Sequence, residues 1–105
     1  MADFSKIFEQ AQQMQARMQE MQAELEKQTV TAAAGGGLVT VEADGKGTIT
    51  RVKIDASVAD PKDVEMLEDL VLVAVNEAQK KASELAKGEM GKLTGGLNLP
   101  FKLPF

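Results

Sequence analysis

The chain has 105 residues, 44 % of them apolar but only four aromatic, so it is expected to form one domain with a thin core of Ala, Val and Leu. It contains neither cysteine nor histidine, which excludes disulfides, thiolate nucleophiles, imidazole bases and the common zinc sites. A formal charge of −4 excludes a polycation that coats nucleic acid by bulk charge and leaves only local contacts open.

The first element is a helix. Phe4, Ile7, Ala11, Met14, Met18, Met21 and Leu25 recur in alternating steps of three and four, filling the a and d positions of a heptad with mostly polar residues between them. The expected helix runs from Asp3 or Ser5 to Glu26, about 22 residues and roughly 33 Å long at 1.5 Å per residue. So long and narrow a seam needs another long helix beside it, from this chain or a second copy. Three of the six methionines, Met14, Met18 and Met21, lie in that seam and suit either core packing or an adaptable contact surface.

A sheet follows. Gln28 to Ala33, with Thr29, Val30 and Thr31 in succession, reads as a first strand, and Ala34 to Gly37 as a flexible connection. Leu38 to Ala43 is the second strand and Thr48 to Asp55 the third. They are joined through a hairpin turn at Asp44-Gly45-Lys46-Gly47. Alternation assigns Val39, Val41, Val52 and Ile54 to a buried face and Thr40, Glu42, Arg51 and Lys53 to the other, where Leu38 and Ile49 stand as apolar exceptions.

Asp60 as N-cap, Pro61 at the first helical position and Asp63 in the first turn mark the start of a second helix. Its segment Leu70 to Val75 is apolar on most sides, which calls for burial against the sheet and against a further element or subunit. Gly88 or Gly91 is expected to end it. The domain is thus placed at residues 1–92. The tail from Leu93 to Phe105 alternates Leu97, Leu99, Phe101, Leu103 and Phe105 with Gly95, Gly96, Pro100 and Pro104, and reads either as a disordered end or as an extended apolar strip that docks on a groove.

No phosphate-binding loop, dinucleotide fingerprint or nucleophile elbow is present. Gly35-Gly36-Gly37 precedes a strand rather than opening a helix, and Glu68 and Asp69, adjacent on a helix, diverge. No enzyme, cofactor, metal or small-molecule substrate is therefore expected. Met1 to Lys6 holds no basic cluster, and Leu70 to Val75 is the longest apolar run. With neither a signal peptide nor a membrane span in view, the cytoplasm is the expected location.

The cations remain to be weighed. Five acids face Lys62 between Asp60 and Asp69, whereas five lysines face Glu84 and Glu89 from Lys80 to Phe105. Part of that gradient complements the helix dipole. Arg17 lies on the polar face of the first helix, Arg51 and Lys53 on the open face of the sheet, and Lys80, Lys81, Lys87 and Lys92 in the last third. Taken singly each is a solvated side chain or half of a surface pair. In a twofold dimer each occurs twice, which can make a pair of patches spaced for phosphates.

The ordered pieces Gln10 to Met14 with Met18 and Met21, Gly37-Leu38-Val39 with Val41, Arg51-Val52 with Ile54-Asp55, Glu65 to Leu70, and Ala74-Val75-Asn76 with Ala78 together resemble the bacterial nucleoid-associated YbaB/EbfC family. The resemblance spans nearly the whole chain, and Leu99-Pro100 and Leu103-Pro104-Phe105 are similar to the family's ending. It implies an α+β protomer of order α-β-β-β-α, a homodimer with projecting helices, and sequence-tolerant binding of double-stranded DNA in the nucleoid. Two features depart from the family. The first helix holds only Lys6, Arg17 and Lys27 against Asp3, Glu9, Glu20, Glu24 and Glu26, and Phe101 stands where a glycine is usual. On this reading DNA is held by Arg17, Lys80, Lys81 and Lys87, chiefly at phosphates. The competing reading is a protein-interaction adaptor or chaperone-like dimer that uses the methionine-rich helix and apolar tail.

Overall fold

The computed structural model describes residues 3–94. Helix α1 spans Asp3–Lys27, strands β1, β2 and β3 span Thr29–Ala34, Val39–Asp44 and Ile49–Ile54, and after a short 3-10 turn at Ala56–Val58 helix α2 runs from Val64 to Thr94. The expected α-β-β-β-α order holds. The strands form one antiparallel sheet in the order β1-β2-β3. The tail assigned to 93–105 is corrected at its start, since Leu93 and Thr94 continue the helix. Its remainder lies outside the described residues.

One face of β1 and β2 carries Ala32, Ala34, Val39, Val41 and Ala43, all buried against Ala74 and Ala78 of α2. Alanine on both sides of this contact leaves no long side chain between the elements, so the helix lies close on the sheet with little side-chain entropy lost. Val39 and Val41 are the largest fully buried side chains, each stabilising by about 1.5–3 kcal/mol through burial. Val30, Leu38, Ile49, Leu67, Leu70, Val71 and Val75 close the rim.

Strand β3 departs from the expected burial. Helix α2 covers β1 and β2 but reaches β3 little, so Val52 and Ile54 face the core side yet stay 44 % and 40 % exposed. Ile49 is corrected in the other direction. Arg51 pairs with Glu42 but Ile49 pairs with Ala43, which leaves Thr50 as the extra residue of a β-bulge. The bulge turns Ile49 to the core side, where it packs. Leu38 likewise lies against the core rather than on the open face.

The start of α2 is also moved. Asp60 accepts from the Lys62 N–H at 2.9 Å through its carboxylate, and its carbonyl accepts from the Asp63 N–H at 3.0 Å, which makes 60–63 a turn with Pro61 inside it. The cap is Asp63, whose carboxylate accepts the Met66 N–H at 3.2 Å. At its other end α2 passes through Gly88 and Gly91. Neither has positive φ, so neither supplies the left-handed residue that ends a helix. Just before the turn, Ser57 donates both its hydroxyl, at 2.7 Å, and its N–H, at 2.9 Å, to Asp55, holding that carboxyl below the usual carboxylate range.

Candidate nucleic-acid interface

The turn between β2 and β3 roots both helices. Asp44 organises it, accepting the Lys46 and Thr48 N–H groups at 2.9 and 3.1 Å on one carboxylate oxygen. Gly47 takes the positive φ of 93° that this turn requires. Gly45, where positive φ would be the natural expectation, has none. It is glycine for a different reason: its N–H donates to the Leu25 carbonyl at 2.8 Å, and a Cβ there would lie 2.7 Å from that same oxygen. Leu25 is buried, and Lys46 reaches Glu26 at 3.0 Å, so the end of α1 is fixed to the turn by a packed side chain, a hydrogen bond and an ion pair. From the other side, the Gln79 side chain of α2 donates to the Gly47 carbonyl at 3.3 Å.

These anchors dictate the direction of the helices. Helix α2 lies along β1 and β2 up to Gln79 and then runs past the end of the sheet. Helix α1 approaches the same end in the opposite sense. Met21, Gln22 and Leu25 face Ser83, Ala86, Lys87 and Met90 across a groove that Lys46 also lines. By this register Thr94 is level with about residue 16 of α1, and the first dozen residues of α1 extend roughly 18 Å beyond the level of Thr94 at 1.5 Å per residue. The molecule measures 73 × 23 × 16 Å with a radius of gyration of 19.6 Å, whereas a compact domain of 100 residues has about 13 Å. Two projecting helices account for the excess.

The cations named from the sequence fall on these arms. Lys80 and Lys87, seven residues apart, lie on the side of α2 opposite the sheet-facing Ala78 and Ala82. Arg17 is exposed on α1 beside Gln10, Gln13 and Met14. Among the described residues none of these three is in an ion pair; Lys27, Lys46 and Lys92 are, with Glu24, Glu26 and Glu89. Lys81 is placed differently. Its ammonium donates to the Thr31 carbonyl on the free edge of β1 at 2.7 Å, which leaves its charge and two N–H donors for another partner. The arms thus carry Arg17 and Lys87, with Lys80 and Lys81 at their root beside the sheet. Arg51 and Lys53 are exposed on the outer sheet face, Arg51 in register with Glu42.

Two features of the site were not legible in the sequence. Lys46 looks like a turn residue and becomes part of the arm junction only through the approach of α1. Phe8, at the e position, widens the apolar stripe of α1 and is 65 % exposed; its aromatic side chain beside the a and d pattern was the available signal. No helix of the described residues is long and apolar enough to cross a membrane.

Comparison with known proteins agrees with this architecture. The model of the YbaB/EbfC DNA-binding family matches residues 1–97. A nucleoid-associated protein of Gemmatimonas aurantiaca is 56 % identical over 103 residues, covering 98 % of this chain and 99 % of its own. One from Clostridium acetobutylicum is 52 % identical over 98 residues, covering 93 % and 88 %. The crystal structure of an uncharacterized Helicobacter pylori protein superposes with a TM-score of 0.82 at 24 % identity, over 90 % of this chain and 100 % of that one, and shares its fold.

Proposed function

The chain belongs to the YbaB/EbfC DNA-binding family, and on that footing we propose that it is a nucleoid-associated protein that grips double-stranded DNA as a homodimer, through phosphates and with little base readout. The observation that carries this reading is the set of unpaired cations, Arg17, Lys80 and Lys87, on two helices that project from one end of the sheet. Lys81 joins the set with the charge it retains at the arm root. Phosphate contacts need only positive charge at suitable spacing, and the glutamine-rich stretch of α1 from Gln10 to Gln22 is not set beside a turn as a recognition helix is. The names of the relatives support a nucleoid location.

Dimerisation is supported by an apolar face at the other end of the molecule. Ile54, Leu67, Val71, Leu72 and Val75 line a shallow concavity with Glu68 at its rim, and Val52 lies exposed on the same side of β3 as Ile54. Monomeric proteins rarely leave so many large aliphatic side chains together in water. A twofold pairing through this face doubles every cation and leaves both pairs of arms free.

The test is binding of random-sequence duplex at several salt concentrations. Lys80→Ala with Lys87→Ala removes four charges per dimer and is expected to weaken binding and flatten the slope of log affinity against log salt by up to about 3.6, at 0.9 per phosphate contact. The fold should persist, because exposed unpaired lysines contribute little to stability. Arg51→Ala with Lys53→Ala is the comparison. If that variant loses affinity while the Lys80/Lys87 variant binds normally, DNA lies on the sheet face and the arm reading fails. If binding is insensitive to salt, capture of apolar segments by an adaptor becomes the better account.

A further inference from the structure

The most exposed large apolar side chains of the described residues are gathered at the free end of α1. Phe4, Ile7 and Phe8 are 78 %, 61 % and 65 % exposed. They hold the a, d and e positions of the first heptad and so share one side of the helix. The described part of α2, to Thr94, does not reach them. The apolar face assigned above to dimerisation lies on β3 and the first half of α2, at the far end of the molecule, so a second copy docked there leaves this stripe in water.

We propose that the chain's own residues 95–105 dock along this stripe, with Leu97, Leu99 and Phe101 covering Ile7, Phe8 and Phe4. The length and direction of the chain fit. Thr94 is level with about residue 16 of α1, and α2 is heading toward the tip, so Phe4 is roughly 18 Å further on at 1.5 Å per helical residue. Eleven extended residues span up to about 36 Å, twice what is needed. The composition fits as well. Leu97, Leu99, Phe101, Leu103 and Phe105 alternate, which places them on one side of an extended backbone. Pro100 and Pro104 reduce the entropy lost when the strip is ordered. Gly95 and Gly96 let the chain leave the helix and turn onto α1. Lys102 is the strip's one charged side chain, so docking buries apolar surface without desolvating several charges.

The absence of cysteine makes a direct test available in the full chain. Ala11→Cys combined with Leu97→Cys, the next a position of the stripe and a stripe-facing residue of the strip, is expected to oxidise to an intrachain disulfide, seen as a compact monomer band on a non-reducing denaturing gel. An Ala11→Cys, Lys62→Cys control should form none. Covalent dimers in place of the monomer band would give the stripe to the tail of a second copy, and no cross-link above the control would remove the docking site; either overturns the proposal. Isoleucine methyl resonances supply an independent readout, because the chain has only Ile7, Ile49 and Ile54. In Leu99→Ser with Phe101→Ser the Ile7 signal should move while those of Ile49 and Ile54, in and beside the core, hold and report an intact fold. An unmoved Ile7 signal in a folded variant also overturns it.

Discussion

At the scale of single residues, two glycines of one turn are required for different reasons. Gly47 supplies a backbone conformation, φ 93°, with nothing within 4 Å of a Cβ. Gly45 has an ordinary φ and supplies room, since its Cβ would lie 2.7 Å from the Leu25 carbonyl and 2.9 Å from the Leu25 side chain. That carbonyl also accepts the Gly45 N–H, so it cannot retreat without losing the bond that holds the arm to the sheet. Gly45→Ala is therefore expected to cost about 1–3 kcal/mol as an overpacked contact, and Gly47→Ala about 1–2 kcal/mol as left-handed strain. Thermal melting measures both losses, and hydrogen exchange separates their causes. Gly45→Ala should accelerate exchange in the last turns of α1, whereas Gly47→Ala should leave α1 protected. Equal protection in the two variants would mean that α1 is not held through Gly45.

At the scale of elements, what could be read from the sequence was whatever depends on local pattern. The heptad of α1 and the β-branched strands are periodic, and their type and order follow from it. The turn at Asp44 to Gly47 is marked by its composition. What could not be read depends on partners distant in sequence. Alternation assigns Ile49 to the outer face, and only the bulge at Thr50 reverses it. Alternation also places Val52 and Ile54 correctly on the core side, but whether a face is covered is decided by the path of α2, which no strand pattern encodes. The arms show the same division. Arg17, Lys80 and Lys87 could be named as cations, while their placement on two arms rooted at the same turn required the antiparallel approach of α1 and α2. Helix α2 yields its own prediction. Glycine signals a helix end only when it takes positive φ, and Gly88 lies inside the helix, exposed, with nothing within 4 Å of a Cβ. Gly88→Ala should then stabilise the protein by about 0.5–1 kcal/mol by reducing the freedom of the unfolded chain. A lowered melting temperature would show that the helix needs this glycine, for close contact with another molecule or for bending.

At the scale of the whole molecule, the sheet and the first half of α2 form a body, and the helices beyond the turn form arms. The core that holds the body is small. Its buried set consists of alanines and valines, and a domain of this length with so few large buried side chains has little margin unless a partner adds apolar burial. The exposed aliphatic face beside β3 offers that burial, and Leu72 tests whether it is used. In a single chain Leu72 is 59 % exposed, so a monomer should accept Leu72→Asp at a cost within about 0.5 kcal/mol, as surface substitutions generally do. In a dimer paired through this face the same carboxylate would be buried without a counter-charge on both sides of the twofold axis, at several kcal/mol. Sedimentation at micromolar concentration should then find the unaltered protein a dimer and Leu72→Asp dissociated, with a melting temperature that falls as the protein is diluted. Val71→Asp would discriminate less well, because Val71 is already partly buried against the core and its loss would unfold a monomer too. An unaltered protein that sediments as a folded monomer would end the dimer reading, and with it the doubling of cations on which the DNA grip depends. A Leu72→Asp variant that stays dimeric and melts normally would place the interface on another face.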